Sequence, residues 1–183
     1  MPSSSSLEAV LLVDGYNIIG VWPKLGQIRD RDGLEASRYQ LIELLLNYSA
    51  FQGFDTRIVF DAQYRDTPSK AQTITENLSV HYTDFGQTAD SYIEKTCAMF
   101  RYDVRKFQQR LIVATSDRAQ QLTVVGYGAE WMSAHQLVAE IENSSRRIRQ
   151  KHKPKKSSSS RFLVNSLDAT ARQRLAQMRM GLD

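Results

Sequence analysis

The sequence has very little cysteine and histidine, which limits the chemistry open to it. Cys97 is the single cysteine, and three histidines are scattered along the chain. No disulfide can form within the chain, and no zinc-ligand spacing is present. We expect Cys97 to be a small buried residue of a helix in a reducing compartment. Any bound metal would have to be a hard cation held by carboxylates.

Long apolar runs are also missing. No stretch approaches the roughly 20 apolar residues that a membrane span needs. The first residues, Met-Pro-Ser-Ser-Ser-Ser, have neither the basic nor the apolar region of a secretory signal. We expect residues 1–7 to be disordered and the protein to be soluble and cytoplasmic, or stromal if it comes from a plastid.

The fingerprints of several large enzyme classes are absent. No Gly-x-Gly-x-x-Gly follows the first predicted strand, which disfavours a dinucleotide enzyme. There is no Walker lysine and no Gly-x-Ser-x-Gly. Tyr16 stands where an aspartyl-phosphate hydrolase would carry the second residue of an Asp-x-Asp pair, so we rank a small-molecule phosphohydrolase last.

Positive charge is scarce outside one segment. Residues 1–145 contain 13 Lys and Arg against 18 Asp and Glu, a net charge of −5. Residues 146–156 contain seven basic residues and no acidic one, and residues 157–183 add a net +2. Such a basic block typically binds a polyanion, although many are solvated helix faces.

Apolar runs and helical spacing alternate over a single predicted domain, 8–152. Strands are predicted at 8–13, 56–60, 78–83 and 110–116, with a possible fifth near Trp131, and helices at 33–52, 89–100, up to about Gly126, and from Ser133 into the basic block. This order predicts an α/β fold, with a central parallel sheet flanked by helices. Residues 14–32 are predicted to be loop, and residues 153–183 to be a linker and a C-terminal segment.

Helix starts are suggested by capping patterns. Asp32 with Glu35 resembles a capping box for the helix at 33–52, and Ser133 with Gln136 resembles another. Thr88 can cap the helix at 89–100.

Three predicted strands end directly in aspartate, at Asp14, Asp61 and Asp117, and Asp90 stands at the start of the helix after another strand. The carboxyl ends of parallel strands meet at one edge of the sheet. Carboxylates gathered there repel one another unless a cation neutralises them. Oxygen-only ligands suit Mg²⁺ or Mn²⁺, which can activate a water and orient a phosphate. Glu94 lies one turn after Asp90 on the same helix face.

Each of these acids also has a purely structural explanation. Asp14-Gly15 is a common turn pair, and Asp61 opens a polar loop. Asp90 suits a helix start, and Asp117 can cap the next helix. The strand-end position of three aspartates weakens this explanation for the group as a whole.

Five nearby side chains are candidates for contact with the substrate. Asn17 could hold a metal-bound water or a phosphate oxygen, or could shape the loop as an Asx turn. Thr115 and Ser116 could donate to a phosphate or satisfy the strand end. Tyr16 and Trp22 could stack on bases or pack in the core.

Four strings of the sequence, in this order, resemble a known family. They are LLVDGYNIIGVWPKL at 11–25, IVFDAQ at 58–63, QTADSYIEK at 87–95 and VATSD at 113–117. They resemble the YacP-like NYN-domain family, and the resemblance extends over about residues 8 to 150. It implies a PIN-like three-layer fold with a basic C-terminal helix, and the activity of a ribosome-associated endoribonuclease that cleaves mRNA during translation.

The resemblance also implies roles for particular residues. Asp14 and Asp90 become the chief metal ligands, Asp117 and Asp61 complete the pocket, and Asn17 and Glu94 match the family's asparagine and helix acid. The charged C-terminal helix would contact RNA phosphates through Arg146, Arg147, Arg149, Lys151 and Lys153. Phe-Gly-Gln precedes Thr88 where an acid is expected, which leaves the number of metal ions open. Residues 157–183 match only loosely and receive no role.

The sequence therefore predicts a metal-dependent endoribonuclease acting on mRNA, on or near the ribosome. Asp14, Asp90 and Asp117 would coordinate Mg²⁺ or Mn²⁺, with Asn17 orienting water or phosphate. The alternative is an RNA- or ribosome-binding factor that does not cut RNA. It would use the same sheet edge and the basic residues 146–156, which we call the basic arm.

Overall fold

A six-stranded sheet forms the centre of the protein. The computed structural model describes residues 8–61 and 70–152, so the expectations for residues 1–7 and 153–183 lie outside the described residues. The strand order is β3-β4-β2-β1-β5-β6. The strands are β1 Ala9–Asp14, β2 Phe54–Phe60, β3 Lys70–Thr75, β4 Leu78–Tyr82, β5 Arg110–Ala114 and β6 Glu130–Met132. Every neighbouring pair is parallel except β3–β4.

Helices cover both faces of this sheet. They are α1 Gly15–Val21, α2 Pro23–Asp32, α3 Leu34–Gln52, α4 Ala89–Phe100, α5 Arg118–Gly126 and α6 Ala134–His152. Because β-strand side chains alternate between faces, Leu11 and Val13 of β1 join a core cluster with α1, α3 and α6. Leu12 joins a second cluster with α4 and α5, where Cys97 is 1% exposed. The predicted α/β fold with a flanked, mainly parallel sheet is confirmed.

The prediction of loop at 14–32 is wrong, because this segment contains α1 and α2. The capping box at Asp32 and Glu35 is also wrong. Gly33 is the N-cap of α3 and gives no side-chain cap, while Asp32 pairs with Arg31. Strand β3 has no counterpart in the sequence prediction, whereas the Thr88 cap on α4 is confirmed by a hydrogen bond from the Ser91 N–H.

The chain divides into two compact units, Met1–Arg146 and Arg147–Asp183. The described part of the second unit is the last segment of α6, residues 147–152. In the described residues, no helix combines the length and the apolarity needed to cross a membrane.

Candidate functional site

Asp14 ends the central strand β1 and also begins α1. Its Oδ1 accepts the backbone N–H of Asn17 at 3.2 Å, as an N-cap. The following residue must be small, since a Cβ on Gly15 would lie 2.3 Å from Cε1 of Phe60 on β2. The Asp-Gly pair therefore lets the chain turn from β1 into α1 tightly against β2, with Asp14 only 9% exposed.

The other three aspartates are held by N–H donors from neighbouring elements. Asp61 follows β2 and accepts the backbone N–H of Ala89. Asp117 caps α5 by accepting the backbone N–H groups of Ala119 and Gln120 at 2.8 and 3.0 Å. Asp90 accepts from the Gln120 side-chain amide at 2.6 Å.

In each of the four aspartates the hydrogen bonds reach Oδ1. The second oxygen, Oδ2, has no donor among the described residues. Asp14 and Asp117 therefore do cap helices, in line with the purely structural explanation, yet every carboxylate keeps one oxygen for another ligand.

The pKa values of Asp14 and Asp90 indicate that these carboxylates interact electrostatically. The pKa of Asp14 is raised to about 6, chiefly by burial, with further increases from the charges of Asp90, Asp61 and Asp117; the Asn17 N–H opposes the shift. The pKa of Asp90 is raised by burial and then by Asp117, Asp61 and Glu94. The other acidic residues that the sequence singled out therefore lie within electrostatic reach of Asp14 or Asp90.

The acidic edge fits a hard cation in its chemistry, since every donor is a carboxylate oxygen. Within the described residues, however, no group of three or more His, Cys, Asp or Glu side chains is arranged to hold a metal ion. Mg²⁺ is commonly bound by one or two carboxylates and keeps several waters. The described residues therefore form no full protein cage, and a hydrated ion on one or two of these aspartates is the kind of binding that their chemistry suits.

Asn17 ties two strand ends together. Its Oδ1 accepts the backbone N–H of Ser116 at 2.8 Å, so its side-chain amide remains to donate to a water or a phosphate. Thr115 and Ser116 satisfy the strand end, because their hydroxyls accept the N–H groups of Asp117 and Ala134 at 3.1 and 3.2 Å.

The two aromatic candidates for base stacking, Trp22 and Tyr16, pack against other residues of the protein. Trp22 is 3% exposed in the core, which favours core packing, the second of its two alternatives, over stacking on RNA bases. Tyr16 packs against Phe60, with ring centroids 5.0 Å apart. Its hydroxyl accepts from Arg38 Nη1 at 2.9 Å.

Two residues of this region were missed by the sequence prediction. Gln120 is 2% exposed and holds Asp90, and Arg38 is 8% exposed beside Tyr16. Neither has a local sequence signal, since glutamine and arginine are ordinary helix residues.

The predicted basic residues lie in the last turns of α6, apart from Lys153, which is outside the described residues. Arg146 is exposed and lies 3.9 Å from Glu142, one turn earlier. Arg147, Arg149 and Lys151 belong to the second unit and are exposed.

A cavity of about 540 Å³ lies away from the acidic edge. Tyr92, Lys95 and Tyr102 are among its lining residues, and none of the four aspartates lines it. The acidic edge is an open surface, where Asp90 and Asp117 are exposed. Such a surface suits a polymer better than a small enclosed ligand.

An α/β sheet with carboxylates gathered at one edge is an arrangement compatible with a domain of the nuclease type. The chain belongs to the family described as YacP-like NYN domain, whose model matches residues 11–180, and the predicted resemblance is confirmed. The uncharacterized protein YacP of Bacillus subtilis (strain 168) is 36% identical over 139 residues, which are 76% of this chain and 78% of that protein.

Solved structures agree with this assignment. The crystal structure of Rae1 (YacP) from Bacillus subtilis has a TM-score of 0.64 and 32% identity, and the match covers 94% of this chain and 95% of that one. A single-substitution mutant of Rae1 has a TM-score of 0.63 and 31% identity, covering 92% and 99%. The family and these relatives indicate a nuclease-type function related to RNA.

Proposed function

We propose that this chain is a metal-dependent endoribonuclease that hydrolyses phosphodiester bonds of mRNA on or near the ribosome, in the cytoplasm or a plastid stroma. One observation carries the proposal: the pKa of Asp14 is raised to about 6, chiefly by burial and further by the charges of Asp90, Asp61 and Asp117, which gather near it. Membership of an RNA-related nuclease family supports RNA as the substrate.

Asp14 and Asp90 would hold Mg²⁺ or Mn²⁺, with Asp117, Asp61 and Glu94 completing the negative field. A divalent ion bound there would supply charge neutralisation and a more acidic water. The side-chain amide of Asn17 donates to a phosphate oxygen or to the attacking water. The exposed basic residues of α6 bind RNA phosphates without reading sequence.

The test is incubation of the full chain with translating ribosomes and labelled mRNA, in Mg²⁺ or Mn²⁺ and in EDTA. Asp14→Asn and Asp90→Asn should each abolish discrete cuts while leaving circular dichroism unchanged, because each removes one charge and keeps the side-chain shape. Asp84→Asn is the matched control, since Asp84 is an exposed aspartate that lines the separate cavity; it should cut normally.

The non-cutting alternative makes a different prediction in the same experiment. Intact mRNA with the protein still sedimenting on ribosomes would favour an RNA- or ribosome-binding factor. Full cutting by Asp90→Asn would refute the proposed metal site.

A further inference from the structure

Two charged residues are buried among the described residues. One is Asp14, and the other is Arg38 on α3, which is 8% exposed. Arg38 Nη1 donates to the hydroxyl of Tyr16 at 2.9 Å, and Tyr16 is two residues beyond Asp14 on α1. Tyr16 therefore links Arg38 to the first turn of α1, the helix that Asp14 caps.

Arg38 is the one arginine that is buried among the described residues. Among the described residues, no carboxylate forms an ion pair with Arg38, whereas Arg29, Arg31 and Arg110 pair with acids at the surface. A buried charge without a counter-ion is strongly unfavourable. The described fold therefore maintains a positive charge that it does not neutralise itself.

Tyr16 locates this charge relative to the aspartates. The ring of Tyr16 packs on Phe60, the residue directly before Asp61. Tyr16 therefore contacts both Arg38 and the residue that precedes Asp61.

We propose that Arg38, oriented by Tyr16, binds an RNA phosphate next to the one that is cleaved. The inference rests on the proposed function, which brings RNA to the acidic edge. The aspartates of the acidic edge repel the phosphates of RNA. A cation beside them would attract one phosphate and so fix the position of the RNA chain relative to the aspartates. A guanidinium suits this role because its planar fork donates to two phosphate oxygens at once.

The test is RNA binding by the full chain carrying Asp90→Asn, with Mg²⁺ present, so that binding is measured without cutting. A labelled single-stranded oligonucleotide is titrated by fluorescence anisotropy at several salt concentrations. Arg38→Gln should weaken binding about tenfold and reduce the slope of log K against log salt by about 0.7, the loss of one phosphate contact to a single strand. Arg38→Lys should keep the slope but bind more weakly, because the planar fork is lost.

Arg31→Gln is the matched control, since it removes the same charge from an exposed arginine that already pairs with Asp32. It should change neither affinity nor slope. Tyr16→Phe removes the hydroxyl that orients Arg38 and should cost severalfold in affinity. If Arg38→Gln does not fold, as judged by thermal unfolding, Tyr16→Phe and Arg38→Lys decide the question.

Unchanged affinity in folded Arg38→Gln, or a weaker affinity with an unchanged salt slope, would overturn the inference. Unchanged affinity in both Tyr16→Phe and Arg38→Lys would do the same. The outcome is separable from that of the proposed function. If the chain never cuts ribosomal mRNA but Arg38→Gln still reduces the salt slope, the phosphate contact is supported and only the proposed nuclease activity is refuted.

Discussion

Asp14 is the residue at which the proposed function conflicts with stability. Its pKa rises from 3.8 to about 6 on folding, which corresponds to about 3 kcal/mol at pH values above 6. The folded state binds this proton more tightly than the unfolded state. The fold is therefore destabilised by the ionised carboxylate at neutral pH, and this cost is relieved as the pH falls from about 6 towards 4.

We expect Asp14→Asn to raise the melting temperature at pH 7.5 by several degrees, since asparagine keeps the N-cap and removes the buried charge. The gain should shrink as the pH approaches 4, where Asp14 of the parent is neutral. Thermal unfolding in EDTA measures both effects. Asp84→Asn serves as the control, and an equal gain from Asp14→Asn at both pH values would show that the buried charge is not the cause.

Gln120 is expected to position Asp90 for the reaction. Its amide donates to Asp90 at 2.6 Å, and its Oε1 is buried with no hydrogen-bond partner among the described residues. Gln120→Leu should lower kcat about tenfold and raise the Mg²⁺ concentration needed, with KM for RNA nearly unchanged. The fold should survive, because the change also removes an unsatisfied buried acceptor.

Gln121→Leu provides the comparison for that measurement. The Gln121 amide donates to the Thr115 carbonyl at 3.4 Å and, among the described residues, to no aspartate side chain. Equal kinetic losses in both variants would show that Gln120 acts only by packing.

At the residue scale, the sequence predicted the acids and missed their partners. Aspartates at strand ends are visible because the strands are apolar and the carboxyl edge is shared. Gln120 meets Asp90 from 30 positions away, and Arg38 meets Tyr16 from 22. Such long-range pairs depend on the folded arrangement, and a single sequence does not encode them locally.

At the scale of elements, the junction of β1 and α1 places the strictest limit on side-chain size. The Phe60 ring that lies against Gly15 is fully buried, between Tyr16 and Tyr82. Gly15→Ala should therefore destabilise the fold by about 1–3 kcal/mol, as expected for overpacking. Urea unfolding measures the loss.

Gly26→Ala is the matched comparison, because Gly26 lies inside α2 and an alanine Cβ there would have no neighbouring atom within 4 Å. It should stabilise the protein by about 0.5–1 kcal/mol through helix propensity. Equal effects at the two glycines would mean that Phe60 moves aside freely.

The same junction explains the errors at this scale. Gly20, Pro23 and Gly26 predict a loop, yet Pro23 occupies the first position of α2, where proline is well tolerated. The burial of Ile18, Ile19 and Leu25 offsets the cost of helical glycine. Strand β3 escaped prediction because KAQTIT is polar, as suits a strand at the sheet edge.

At the scale of the whole molecule, the opposite charges of the two parts predict how RNA binds. Residues 1–145 carry −5 and residues 146–156 carry +7. Changing Arg147, Arg149 and Lys151 to glutamine should reduce the salt slope of RNA binding by about 2, at roughly 0.7 per lost contact. The melting temperature should not change, because these side chains are exposed.

Neutralising Lys24, Arg31 and Arg105 instead removes an equal charge from the first unit. These residues are exposed as well, so a similar fall in slope would show that net charge, rather than the basic arm, governs binding. Anisotropy titrations at several salt concentrations distinguish the two results.

Burial of the single cysteine has a practical consequence for such measurements. Cys97 is 1% exposed, and burial, aided by Glu94, raises the pKa of its thiol to about 12. A thiol that is both enclosed and protonated reacts slowly with maleimides. Replacing an exposed residue of α6, as in Gln150→Cys, would therefore create one reactive handle on the native chain, so that a single dye could follow the arm as it meets RNA.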